Sequence, residues 1–449
     1  MAYLQRENLI VASTGLGKTH VAMAQAALLA EDGLIDHVIC ICEKNKVSEW
    51  VGDFRVYTGF RRVEQYIGQG RQRHLLDLPD VLVTTYETAR NDAASKVPGR
   101  PRALQAGPFT TALEGKKVLV VYDEASKLKN RDSGIYRAHD FMLKHARRHG
   151  DVRTTALTAT PLESSPENIF NIARLLQPGI LTVADFEALH VTGRDIWGRA
   201  QGYRHIGDAD RVWPDTPTLF ERLAGMLQVK DKFDADVLAE FPRQVEEFEY
   251  VEYPKASMKI IEELTDKDLK TGGGGYMTMR QFAGHPQALL ASNADLARWA
   301  VAEYGEAALR ALPAPKLDAL LRHLELLVRE EGRKVVVFTF FGQSVLPLLR
   351  QALVAKGYQV AINHGQMSAE EREFQKARFR TGDAEVYLSS DAGSRGINLP
   401  EATVVINFEM PLLHATYEQR INRIHRIDSD AESVLALTLI AKDTVEEHI

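Results

Sequence analysis

The chain has 449 residues, 45% of them hydrophobic and 26% charged, with a formal net charge of −6. That length predicts two or three domains, each able to bury its own core, and the composition is that of a globular protein. The acidic balance excludes a basic coat over the whole surface but leaves room for a local basic groove, and the two cysteines are too few for a disulfide framework or a metal site. No apolar run is long enough to span a membrane and no basic-then-apolar leader is seen, so the expectation is a cytoplasmic protein, at a nucleoid or in a host cell, with no membrane partner.

Leu9–Ala12 predicts the first strand. The run that leaves it, Ala12-Ser13-Thr14-Gly15-Leu16-Gly17-Lys18-Thr19, fits a phosphate-binding loop with Ala in place of the first Gly, and a helix follows over Lys18–Ala30. Backbone N–H groups at a helix N-terminus suit the phosphates of a nucleotide, which makes Thr14, Gly15, Gly17, Lys18 and Thr19 candidate ligands. Lys18 would reach the β and γ oxygens and Thr19 would hold magnesium. Taken alone the run is also an ordinary glycine-bearing turn; the strand before it and the helix after it favour the loop.

Strands follow at Val38–Ile41, Val81–Thr85, Val118–Tyr122 and Thr155–Thr158, alternating with helices at Val47–Val56, Tyr136–Ala146 and Pro166–Leu176. Such alternation predicts a parallel sheet with crossover helices and ligands at the carboxyl ends of its strands. Lys18, Thr85, Asp123 and Thr160 would gather there. Cys40 and Cys42 read as a buried small pair on one strand face, and Trp50 as a residue packing its helix on the sheet. Asp92–Lys117, broken by Gly and Pro and carrying Lys96, Arg100 and Arg102, reads as a surface loop. Asp123-Glu124 closes an apolar strand. By itself it would be a solvated turn; beside a phosphate loop in the same sheet it reads as a magnesium ligand (Asp123) and an orienter of attacking water (Glu124).

The pattern is less regular over 186–315. A second α/β lobe over 316–449 places strands at Val335–Phe338, Gln359–Ile362, Glu385–Leu388, Thr403–Ile406 and Val434–Leu439, with helices at Lys316–Val328, Gly342–Ala355, Ala369–Phe379 and Ala415–Ile424. Thr271–Gly275 reads as a flexible loop. Gln419–Arg426 is expected to open a helix that sets Arg423 and Arg426 on one face, where two guanidinium groups suit a γ-phosphate; a basic surface helix is the plainer alternative.

Ala12–Thr19, Asp123-Glu124-Ala125-Ser126, Leu157–Pro161, Ser390–Asn398 and Gln419–Arg426 stand in the order and spacing of superfamily-two helicase motors. Asp80–Glu87, Lys127–Asn130, Gly284-His285-Pro286, Gly396–Leu399 and His425-Arg426-Ile427 resemble the Swi/Snf-type DNA translocase branch. The resemblance implies an α/β fold of two tandem RecA-like parallel-sheet lobes, 1–185 and 316–449, with a partly helical inter-lobe region over 186–315. It implies a nucleic-acid-stimulated ATPase using ATP and Mg2+, with Lys18, Asp123, Glu124, Gln419, Arg423 and Arg426 catalytic and Asp391 and Gly396 also at the nucleotide. It places Thr84, Thr85, Phe340, Gln343, Ser389 and Ser390 along a strand of nucleic acid, duplex DNA first. Departures are Ser126 where the family has His, and Asp391, Arg395 and Arg420, which look more like general RNA and DNA helicases. The upstream glutamine motif is not evident and the chain stops where a closing helix is common. Three readings stay open: a duplex translocase, a strand-separating helicase, and an ATP-binding clamp with little turnover. Specificity could come from a targeting partner protein.

Overall fold

The computed structural model describes residues 4–97, 100–159, 165–232, 234, 237, 240–271, 274–394, 398–426 and 429–448. The chain forms two compact units, Met1–Val237 and Leu238–Ile449. Among the described residues no helix is long and apolar enough to cross a membrane.

In the first unit, strands β1 (Glu7–Ala12), β2 (His37–Cys42), β3 (Val63–Tyr66), β4 (Val81–Thr85), β5 (Ala94–Val97), β6 (Arg100–Ala106), β7 (Lys117–Asp123), β8 (Asp151–Thr158), β9 (Val191–Arg194), β10 (Ala200–Tyr203) and β11 (Leu227–Lys230) alternate with helices. The helices are α1 (Lys18–Glu31), α2 (Val47–Tyr57), α3 (Tyr86–Ala93), α4 (Pro108–Thr111), α5 (Gly134–His149), α6 (Pro166–Leu176), α7 (Val183–His190) and α8 (Leu219–Leu223). Seven strands build one sheet in the order β11-β1-β8-β7-β2-β4-β3, every pairing parallel.

The inner strands are apolar throughout because both of their faces are covered. Alternate residues divide between two cores. Leu9, Ile39, Ile41, Val118, Val120 and Tyr122 pack with residues of α3, α5 and α6; Ile10, Val38, Cys40, Leu119 and Val121 pack with residues of α1 and α2. Both cysteines are buried and free.

The second unit holds β12 (Arg243–Val251), β13 (Val335–Thr339), β14 (Val360–Asn363), β15 (Val386–Ser390), β16 (Val404–Asn407) and β17 (Ser433–Ala441). They form one parallel sheet in the order β12-β17-β16-β13-β15-β14. Helices Pro315–Leu324 and Leu346–Ala355 cover one face, while Phe379, Leu399 and Ile424 cover the other. Helices over 255–311 build a separate small core around Leu264 and Phe282. Lys316 and Glu446, each 0% exposed, make an ion pair at 2.6 Å.

Two expectations, for 92–117 and for the helix near 415–424, are corrected, and the stretch 186–315 gains detail. The segment read as a loop, Asp92–Lys117, contains the antiparallel hairpin β5–β6 and α4. Buried Phe109 anchors it against Tyr66, ring centroids 5.1 Å apart, and Gly107 lets the backbones meet, since a Cβ there would lie 2.3 Å from the carbonyl oxygen of Asp92. The stretch 186–315 divides between the units: β11 completes the first sheet beside β1, and β12 joins the second beside β17. The helix expected over Ala415–Ile424 runs from His414 to Ile421 and ends there. Beyond it the chain continues in turns, the N–H groups of Ile424 and His425 donating to the Ile421 carbonyl at 3.0 Å each and the N–H of Leu399 to the Arg423 carbonyl at 3.0 Å, so Arg423 and Arg426 lie past the end of the helix. Thr160, Pro161, Leu162, Gly272, Gly273, Arg395, Gly396, Ile397 and Ile427 lie outside the described residues.

Candidate functional site

All strands of the first sheet point the same way, so the loops after β1, β2, β4, β7 and β8 leave from one edge. After β1 the chain turns through Gly15 (φ 90°) and Gly17 (φ 68°), values open to glycine, and enters α1 at Lys18. Lys18 Nζ donates to the carbonyls of Ala12 (2.6 Å) and Ser13 (3.1 Å), which holds the ammonium over the loop. Thr14 and Thr19 are half-buried in it. Ser13 is tied to the edge strand: its N–H donates to the carbonyl of Lys230 at 3.0 Å, and its Oγ accepts from the N–H of Lys232 at 3.3 Å.

At the end of β7, Asp123 is 8% exposed while Glu124 is exposed. Glu124 sits at φ 54°, ψ 55°, the left-handed region that a non-glycine residue rarely holds. The turn at Glu124 sets the two carboxylates in different surroundings. Burial raises the pKa of Asp123, while Lys46, the indole of Trp50 and Lys18 favour its charged form. Trp50 Nε1 donates to Asp123 Oδ2 at 2.9 Å, and the Tyr86 hydroxyl donates to the Asp123 carbonyl at 2.8 Å. Trp50 therefore packs its helix and also orients the carboxylate. Among the described residues no group of three or more His, Cys, Asp or Glu is placed to hold a metal ion. One buried carboxylate, one threonine hydroxyl and a lysine over a glycine loop fit a magnesium ion that takes its remaining oxygens from phosphates and water.

The expected nucleic-acid contacts separate by exposure. Thr84 is buried and its hydroxyl donates to the Tyr66 carbonyl at 2.8 Å. Thr85 caps α3, accepting from the N–H of Thr88 at 3.1 Å. Ser389 and Ser390 are buried at the end of β15; Ser389 Oγ donates to the Ser390 carbonyl, and Ser390 Oγ accepts from the N–H of Gly393. The hydroxyls of Thr84, Ser389 and Ser390 thus all bond within the fold in this structure. Phe340, 41% exposed, and Gln343 remain on the surface. Sequence reading passed over a cavity of about 540 Å³ at the ends of β2 and β4, lined by Glu43, Lys44, Thr85, Glu87, Thr88 and Lys127. The lysines just after β2 and after the acidic turn were its only signal.

In the second unit Asp391 receives Arg420, with Nε at 2.8 Å and Nη2 at 2.7 Å from Oδ1. Arg420 is buried and also donates to Asn407 Oδ1 (3.0 Å) and to the Glu409 carbonyl (3.1 Å). Asp391 thus holds the fold of its own unit together. Arg426 donates to Asn398 Oδ1 at 3.0 Å, which ties two of the motifs; Arg423 is half-buried and Gln419 exposed.

Residues 3–296 match the SNF2-related domain and residues 315–428 the helicase conserved C-terminal domain. The chain belongs to the SNF2-related family. Similar proteins include the CHD3-type chromatin-remodeling factor CHR7 of Arabidopsis thaliana, 24% identical over 100% of this chain and 35% of that protein. Another is YqhH of Bacillus subtilis (strain 168), described as an uncharacterized ATP-dependent helicase, 24% identical over 97% of this chain and 72% of that one. The SNF2-related chain spans about a third of CHR7. Among solved structures, the Pyrococcus furiosus Hef helicase domain overlays with a TM-score of 0.57 at 17% identity, covering 99% of this chain and 95% of that one. The two parallel sheets are those of RecA-like helicase cores.

Proposed function

We propose that this chain is an ATP-hydrolysing motor of the Swi/Snf type that moves along duplex DNA. The observation that carries the reading is the buried carboxylate of Asp123 at the same sheet edge as the Lys18 ammonium, whose charge helps keep it ionised. Family membership and the names of the relatives, a chromatin-remodeling factor and an ATP-dependent helicase, support it.

In this reading the N–H groups of Thr14–Thr19 bind the phosphates of ATP and Lys18 moves from the carbonyls of Ala12 and Ser13 to their oxygens. Thr19 and Asp123 would hold Mg2+, which would supply charge neutralisation for the phosphates. Exposed Glu124 orients the attacking water and accepts its proton. Arg423 and Arg426, with Gln419, are the candidates to meet charge developing on the transferred phosphate. Asp391 acts indirectly, by fixing Arg420 beneath the strand ends. Thr85, Phe340 and Gln343 stand along the DNA backbone, where contacts to phosphate position a strand without reading its sequence. A targeting partner protein then supplies any site preference.

The test is steady-state ATPase measured in parallel with no nucleic acid, blunt duplex DNA, single-stranded DNA and RNA. Duplex stimulation is expected, falling with added salt as phosphate contacts do. A preference for single strands or RNA would replace the translocase with a strand-separating helicase. No stimulation by any of them would leave an ATP-binding clamp.

A further inference from the structure

Between α7 and α8 the first unit extends the hairpin β9–β10, and its turn carries two of the most exposed large apolar side chains among the described residues, Ile196 at 91% and Trp197 at 78%. The turn is built to hold them out. Asp195 Oδ1 accepts from the N–H groups of Trp197 (2.9 Å) and Arg199 (2.8 Å), and the N–H groups of Asp195 and Gly198 bond to the carbonyls of Arg199 and Asp195, each at 2.9 Å. Arg194 Nη1 donates to the Gly198 carbonyl at 2.7 Å. The base is braced as well: Arg194 pairs with Glu187 of α7 and Glu167 of α6, and the Tyr203 hydroxyl meets Glu167 at 3.5 Å. Glu167 lies in the first turn of α6, the helix that follows β8. The hairpin is therefore rooted at the carboxyl edge of the sheet, where Lys18 and Asp123 lie.

We propose that this turn reads an unpaired nucleobase at the end or junction of a duplex, Trp197 stacking on the base and Arg199 meeting the neighbouring phosphate. Arg199 is exposed and makes no ion pair among the described residues. The flat apolar ring and the open cation stand two residues apart, amid Asp195 and Gln201 rather than within a broad apolar patch of the kind that docks a protein. Indole stacking on a base is insensitive to which base it is. Inside a duplex both faces of each base are covered by its neighbours, so only a frayed, forked or single-stranded position offers a face. The inference rests on the DNA-motor reading and narrows its substrate to DNA in which paired and unpaired segments meet.

The experiment measures affinity by fluorescence anisotropy, without ATP, for a forked duplex and a blunt duplex of equal length. Wild type, Trp197→Ala, Trp197→Phe and Arg199→Ala are compared, and 2-aminopurine is placed at the first unpaired position of the fork. Wild type is expected to favour the fork and quench the probe. Trp197→Ala should lower the fork-to-blunt ratio roughly 10-fold, the order expected for one stacked base, and lose the quenching; Trp197→Phe should restore most of both. A wild-type ratio near one, or a ratio and quenching that survive Trp197→Ala, would overturn the proposal and leave the turn to a protein partner. Stimulation of wild-type ATPase by blunt duplex is read separately and decides the motor reading whichever way the ratio falls.

Discussion

The indole N–H of Trp50 and the carboxylate of Asp123 meet at 2.9 Å across 73 residues of sequence, joining the middle of α2 to the tip of β7. A hydrogen bond to an ionised group contributes about 1.5–3 kcal/mol, and about 1.4 kcal/mol corresponds to one pKa unit. The bond favours the charged form of a carboxyl that burial pushes up. Trp50→Phe keeps the packing and removes the donor, so Asp123 should hold its proton to higher pH. The acid limb of the ATPase profile, measured at saturating Mg2+, is expected to move to higher pH. A profile that superposes on wild type would strip Trp50 of this role.

Glu124 holds a left-handed backbone, which costs a non-glycine residue on the order of 1 kcal/mol or more. Glu124→Gly should therefore leave stability unchanged or raise it by up to ~1 kcal/mol while turnover falls by a factor of about 100 or more. Glu124→Gln should show the same loss of turnover with nucleotide binding retained. Thermal melts and ATPase on the same preparations check this. A glycine variant that melts lower, or a glutamine variant that hydrolyses ATP at the wild-type rate, contradicts the assignment.

Lys316 and Glu446 pair out of solvent, and Glu446 Oε2 also accepts from the N–H of Ala441 at 3.0 Å. Removing one partner strands a buried charge, a loss of about 3–5 kcal/mol. Lys316→Met alone should lower the melting transition of the second unit strongly. Adding Glu446→Gln, which keeps an acceptor for Ala441, should recover at least half of the loss. Calorimetry resolves the transitions, and additive effects of the two substitutions would argue against the pairing.

His139 is buried between Tyr122 and Tyr86, its ring nitrogens 3.3 Å from the Tyr122 hydroxyl and the Tyr86 carbonyl. Burial holds its pKa down to about 4. As pH falls below the unfolded value near 6.5, the unfolded chain gains a proton that the folded site refuses, so stability is lost between roughly pH 6.5 and 4, by up to about 3 kcal/mol. His139→Gln should flatten that acid slope for the first unit. His285, also held down to about 4 by burial, retains its own slope in the second unit as an internal control. Parallel slopes for variant and wild type would show that His139 is not the group responsible.

The sheets were legible because their inner strands, such as Val118–Tyr122 and Val335–Phe338, are covered on both faces and read as unbroken apolar runs. The glycine turn between β1 and α1 was legible because its glycines act locally. Edge strands were harder: β11 is Leu-Gln-Val-Lys and β12 carries four glutamates and an arginine among its nine residues and their immediate successor, since one side of each lies open. The Trp50–Asp123 bond joins segments that only the folded sheet brings together. Hydroxyl partners are non-local in a related way: nothing beside Thr84 in sequence tells that its oxygen donates to the Tyr66 carbonyl.

Ser13 has a further consequence through its bonds to Lys230 and Lys232. The polypeptide leaves the first sheet along this strand, so Ser13 cannot shift without breaking those bonds or dragging the departing chain with it. Three main-chain groups and one hydroxyl make the linkage, so the side chains of Lys230 and Lys232 take no part in it and the mechanical tie persists whatever stands at those two positions.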